Sequence, residues 1–138
     1  MNIRRIANAF EDERGSIADI LEDEPIEHVS TLMTRKGSVR GNHLHRETWQ
    51  WLYVTAGMLR YMTRDESGAT VMAVARAGDV ILTKPNEAHA MEALEDTTMI
   101  VMTRGPRGGR EYESDTFRLR EPLIALAPQH AVEAGAQR

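Results

Sequence analysis

The chain contains no cysteine. Disulfides and thiolate-held metals are therefore excluded, and any bound metal must take histidine, carboxylate, amide or water ligands. No stretch reaches the about 18 consecutive apolar residues of a membrane-spanning helix. The opening Met1-Asn-Ile-Arg-Arg5 runs into acidic sequence rather than an apolar signal core, so a cytoplasmic location is expected. Basic side chains are outnumbered, 17 against 21 acidic ones, giving a net charge of −4 with no dense basic run. Nucleic acid is not an expected partner, and no helix-turn-helix pattern or internal repeat is present.

What remains is a chain of 138 residues, 41% hydrophobic and 28% charged, the composition of one folded domain with its own core. Its apolar pattern has period two, which predicts strands. Thr48 to Thr55 places Gln50, Leu52 and Val54 on one face and Trp49, Trp51 and Tyr53 on the other, as in a strand buried on both sides. Further strands are predicted over 59–63, 69–75, 79–82, 88–94 and 97–103, with turns at Arg64–Gly68 and Pro85-Asn86-Glu87. Short consecutive strands with no sustained helix before residue 120 indicate an all-β barrel or sandwich such as a jelly roll. Residues 1–29, with eight acidic side chains between Glu11 and Glu27, read as a solvated edge or a lead-in strand wrapping a barrel over 30–104. Residues 105–138 read as an extension, with a flexible Gly105–Gly109 turn and a frayed or loosely helical tail from Pro128.

The chemistry-bearing residues cluster in the middle. His43 and His45 are two apart, so on a strand both rings leave the same face about 7 Å apart at the backbone and can share an ion. Gln50 is a polar amide on an otherwise apolar face, where it needs a partner. A surface or core coincidence is the alternative for each.

These residues fall into a pattern that resembles both motifs of the cupin superfamily. Gly37, His43, His45, Gln50 and Gly57 match the spacing of the first, with Gln50 where the family has Glu. Gly78 and His89 match the second, with Pro85 one place late, Asn86 in place of a glycine and Ala93 in place of an asparagine. The resemblance covers residues 30–104. It implies a jelly-roll barrel, or double-stranded β-helix, holding one divalent transition metal on His43, His45, Gln50 and His89. Zn, Ni, Fe, Mn and Cu all suit nitrogen-rich ligation. With an amide replacing the carboxylate, the ion keeps its full charge, a stronger Lewis acid bound less tightly. A barrel that kept its histidines and lost its metal is the alternative.

Two further resemblances bear on substrate. Asp12-Glu-Arg-Gly15 with Arg40-Gly41-Asn42-His43 is similar to cupins that epimerise or isomerise deoxysugar nucleotides, and to cupin domains of capsular-polysaccharide enzymes. In metal-free members of that group a first-motif histidine, here His43 or His45, is the base. Small cupins that open unsaturated uronic acids are similar in their three histidines and their Gln. Both groups imply a carbohydrate-derived carbonyl substrate and an isomerase, epimerase or lyase that stabilises an enolate. In that scheme Tyr61 is the acid/base candidate, with a core tyrosine as the alternative. Arg40, or else Arg60, would bind a carboxylate or phosphate, with an ordinary surface cation or ion pair as the alternative. A metal-dependent dioxygenase and a non-catalytic metal- or sugar-binding module are the other function classes. The Trp49, Trp51 and Tyr53 face is expected to be an intersheet core or the interface of a homodimer. Met58, Met62, Met72, Met91, Met99 and Met102 are expected to fill the core, and His28 and His130 to be surface or structural.

Overall fold

The structure is a computed structural model that describes residues 1–106 and 113–126. Twelve strands form among them: β1 (Asn2–Arg5), β2 (Phe10–Asp12), β3 (Gly15–Ile17), β4 (His28–Thr34), β5 (Val39–Leu44), β6 (Trp49–Ala56), β7 (Met58–Arg64), β8 (Thr70–Arg76), β9 (Asp79–Thr83), β10 (Ala88–Ala93), β11 (Thr97–Arg104) and β12 (Phe117–Arg118). No helix occurs among the described residues. Two five-stranded sheets, ordered β1-β9-β6-β11-β4 and β12-β5-β10-β7-β8, pair throughout in antiparallel fashion, and β2 and β3 form a separate hairpin. This is the expected all-β jelly roll. The predicted tail from Pro128 and most of the Gly105–Gly109 turn lie outside the described residues.

Alternation decides what each strand buries. Leu52 and Val54 of β6 point between the sheets, where they meet Leu59, Tyr61, Ile81 and Met99, all essentially without solvent exposure. The opposite face of β6 is also covered, as the pattern of that strand predicted. Trp51, Val80 and Met102 make a second cluster, sealed by Ile6, Ile20, Leu21 and Ile26 from the N-terminal segment. Arg104 of β11 lies over the Trp49 and Trp51 rings, at 5.0 and 5.5 Å, and is held there by Glu24 at 3.2 Å. The tryptophan face is thus not an intersheet core. It is a layer covered by the chain's own lead-in, with Glu24 holding Arg104 over it.

One expectation about core filling is corrected. Met91, Met99 and Met102 are buried, but Met72 is 53% exposed. It lies on β8, the edge of its sheet, beside the half-exposed Val71 and Val74.

Candidate active site

Three imidazoles meet where the two motifs are brought side by side. β5 and β10 pair in a register that sets His43 directly opposite His89, with an irregularity between His89 and Ala90. Gly41 permits this approach: a β-carbon there would come within 2.8 Å of the His89 carbonyl oxygen, and its φ of +90° is one that side-chain-bearing residues avoid. His45 follows the end of β5. The ring centres of His43, His45 and His89 lie 4.7 to 5.0 Å apart, and one ring nitrogen from each falls within 4.8 Å of the others. His45 and His89 are buried and His43 is half-buried.

The buried pair is oriented from behind. His45 Nδ1 donates to the Asp115 main-chain carbonyl at 2.8 Å, and His89 Nδ1 donates to that of Glu87 at 3.1 Å. A carbonyl only accepts, so each Nδ1 carries a proton, and a ring in its neutral form has its lone pair on Nε2. The turn before β10 is fastened to the first motif as well, because Asn86 N–H donates to the His45 carbonyl at 2.6 Å. Asn86, which stands where the family pattern has glycine, has φ of 65°, a left-handed conformation that asparagine tolerates better than most residues.

Asp115 was not anticipated. Its carboxylate accepts from Arg46 N–H, Glu47 N–H, Thr48 N–H and the Thr48 hydroxyl at 2.8 to 3.0 Å. Burial pushes this carboxyl up, but those four bonds outweigh it and hold it below the ordinary aspartate range. The result is a clamp that closes the 46–48 turn and, through its own carbonyl, aims His45. No spacing signals a partner 67 to 70 positions away.

The cluster opens into a cavity of about 630 Å³ between the sheets. Gln50, buried on β6, lines it together with His43 and His89, so the fourth expected ligand shares the space. Arg40 also lines it, with its guanidinium tied to the Thr34 hydroxyl at 2.7 Å and the Met33 carbonyl at 3.0 Å. Arg60 pairs with Glu92 at 2.6 Å, the ion-pair alternative for that residue. Tyr61 is fully buried behind the cluster, not among the cavity's lining residues. Its ring lies parallel to that of His89 at 6.1 Å, and its hydroxyl is 2.5 Å from the Thr83 hydroxyl. His28 is exposed yet lines the cavity, as do Glu113 and Arg118, which the sequence did not mark. His130 lies outside the described residues. Asp12–Gly15 forms the turn of the β2–β3 hairpin and borders a separate cavity of about 250 Å³, apart from the histidines.

Residues 10–117 match the model of the polysaccharide biosynthesis C-terminal domain family. The chain belongs to that family. A search of curated protein sequences returns no match. Among solved structures, the chain resembles a sugar 3,4-ketoisomerase from Thermoanaerobacterium thermosaccharolyticum in complex with TDP, at 14% identity and a TM-score of 0.67, over 99% of this chain and 95% of that one. It also resembles a dTDP-4-dehydrorhamnose 3,5-epimerase from Sulfolobus tokodaii, at 19% identity and 0.65, over 83% and 73%. The capsular polysaccharide assembling protein CapF from Staphylococcus aureus matches at 19% and 0.60, over 84% of this chain and 34% of its own length. These neighbours are jelly-roll cupins, and the fold of this family member is theirs.

The donor set of the family member suits a divalent ion. Nitrogen donors on one ion stand about 3 to 4 Å apart, so the rings would close by about 1 Å to share it. None of the four groups carries a negative charge, and the two buried rings already have their Nδ1 hydrogens committed to carbonyls, the arrangement that orients metal-ligating histidines.

Proposed function

We propose that this protein is an epimerase or ketoisomerase acting on a keto-sugar joined to a nucleotide, with a divalent metal held by His43, His45, His89 and Gln50. The observation that carries this reading is the three-histidine cluster, oriented by main-chain carbonyls, at the end of a cavity that also presents Arg40 and Arg118. Support for the substrate class comes from the family and from the epimerase and ketoisomerase structures that share the fold.

A divalent ion in this site supplies Lewis acidity toward a sugar carbonyl, stabilising negative charge that develops on its oxygen. The chain's own residues do the rest. Gln50, uncharged, leaves that acidity undiminished. Arg40 is pinned at one side of the cavity, its fork presented at a fixed place to a phosphate or carboxylate. His28 and Glu113 are the cavity-lining groups suited to taking a proton from the carbon beside the carbonyl and returning it. Tyr61 serves as a positioning residue that backs the His89 ring.

The test is incubation with a TDP-linked 4-keto sugar in D2O, followed by proton NMR. Deuterium should enter at the carbon beside the ketone, and His43→Ala should slow this by about 100-fold or more. Elemental analysis of protein purified without added metal should find one transition metal per chain, and His89→Ala should lose it. Exchange that proceeds at full rate in metal-stripped protein would remove the metal and leave a histidine base. No exchange, with oxygen consumed instead, would favour a dioxygenase.

A further inference from the structure

β5 and β10 do not keep step. Their register advances from His43 to Gly41 on β5 while it moves only from His89 to Ala90 on β10, so Asn42 is the additional residue of a β-bulge. Its φ of 58° is left-handed, a conformation open to asparagine and avoided by most residues. The bulge keeps His43 opposite His89 and sends the Asn42 side chain to the segment after Asp115 rather than into the cavity.

Four hydrogen bonds meet there. Leu123 N–H and Ile124 N–H donate to Asn42 Oδ1 at 2.8 and 3.1 Å, Asn42 Nδ2 donates to the Ile124 carbonyl at 2.9 Å, and Leu119 N–H donates to the Asn42 carbonyl at 2.9 Å. An amide meets this demand, whereas an aspartate would set a second oxygen against the Ile124 carbonyl. Between residues 113 and 126 only Asp115 and Ile124 are buried. The segment is therefore a strap held at two points, the Asp115 clamp and the Asn42 amide. A segment with so little buried apolar surface keeps its place through its hydrogen bonds. Its short paired stretch, β12, sets Arg118 opposite His43, and the strap carries Glu113, Thr116 and Arg118 into the cavity lining.

We propose that Asn42 is a positioning residue, the latch that holds Thr116 and Arg118 over the histidine cavity as the wall that grips the outer end of a bound ligand. Asp115 fixes one end of the strap and aims His45. Asn42 fixes the other end and so places Arg118, whose ion pair with Glu113 at 3.5 Å stays within the strap. The clamp thus serves the histidines, and the latch serves the ligand. This deepens the proposed function, from which it takes only that the cavity binds a nucleotide-linked ligand.

The test is calorimetry of the full chain with TDP, which needs no turnover, beside amide hydrogen exchange. Asn42→Gly removes the side-chain bonds and suits the left-handed backbone, so it unlatches the strap without adding strain. It should bind TDP about tenfold more weakly, the share of one charge-assisted hydrogen bond, and exchange the Leu119, Leu123 and Ile124 amides about tenfold faster or more. Exchange in residues 46–48 and the metal content should match those of the unaltered chain. Arg118→Ala, at an exposed position, should weaken TDP binding to the same degree, and Asn42→Gly added to it should weaken binding no further. Because the chain has no cysteine, Leu44→Cys with Phe117→Cys, directly opposite on β5 and β12, introduces one disulfide that fastens the strap without Asn42. In the Asn42→Gly background its oxidised form should recover the original TDP affinity and lose it again on reduction. Affinity indifferent to Asn42→Gly, a loss that the disulfide does not restore, effects of Asn42→Gly and Arg118→Ala that add, or no TDP bound by the unaltered chain would each overturn the proposal. A chain that binds TDP through the strap yet leaves the keto-sugar protons unexchanged would instead overturn the proposed reaction alone.

Discussion

Replacing Asp115 by Asn keeps the side chain's shape but exchanges one acceptor oxygen for an NH2 group. In the native clamp one carboxylate oxygen receives Arg46 N–H, and the other receives Glu47 N–H, Thr48 N–H and the Thr48 hydroxyl. The least damaging orientation turns the new NH2 toward Arg46, where donor faces donor. Losing that charge-assisted bond and leaving its N–H unmatched costs about 2 kcal/mol, and removing the charge from the other three costs about 0.5 kcal/mol each. The sum, about 3.5 kcal/mol, should lower the melting temperature by roughly 12 °C for a chain of this size. Urea unfolding at neutral pH measures it directly. The pH dependence has a definite sign. The folded-state carboxyl titrates below its unfolded value of 3.8, so its contribution is complete above that pH and disappears as pH falls through the lower folded value. The difference between Asp115 and Asp115→Asn proteins should therefore hold steady from about pH 7 to 5 and shrink below about pH 4. A neutral-pH difference under about 1 kcal/mol, or one that persists unchanged into strong acid, would refute the clamp. Because the Asp115 carbonyl aims His45, metal affinity should also fall, by about tenfold or more.

Gly41→Ala should destabilise the fold by about 3 kcal/mol in thermal melts, through the clash with the His89 carbonyl and the strained φ; a cost below about 1 kcal/mol would show that β5 and β10 can separate freely. Tyr61→Phe should cost about 1 kcal/mol of stability by removing the bond to Thr83, while leaving kcat within about threefold; a collapse of kcat at normal stability would return Tyr61 to the acid/base role. Gln50→Glu should tighten metal binding about tenfold or more in chelator competition, since a carboxylate offsets one unit of the ion's charge. Unchanged affinity would place Gln50 outside the ligand set.

The strands were legible because each buries a face of the barrel, and burial writes itself as alternation. Leu52 and Val54 against Trp51 is the plainest case, and Asn86 carried the left-handed turn in its residue type. His43 and His45 were legible as a pair through their spacing of two on a strand, and His89 joined them through the resemblance to the second cupin motif. A lead-in that wraps the barrel was one reading of residues 1–29, but the face it covers was not legible: nothing near Trp51 in sequence announces that Ile6, Ile20, Leu21 and Ile26 return to seal it. His28 looked incidental because its place in the cavity depends on β4 pairing with β11, a long-range event. Asp115 left no trace because its role is to satisfy main-chain groups, and main-chain N–H is the same at every position.

Both tryptophans of the chain stand on β6 at either side of Gln50, with their rings roughly parallel, 6.4 Å apart at their centres, beneath Arg104. All the indole emission of the protein therefore originates in the outer layer, one backbone position from the cavity. The chain carries its own optical reporter there. Peeling away of the lead-in segment would red-shift that emission while far-UV circular dichroism still registered an intact barrel, separating loss of the outer layer from global unfolding without any added label.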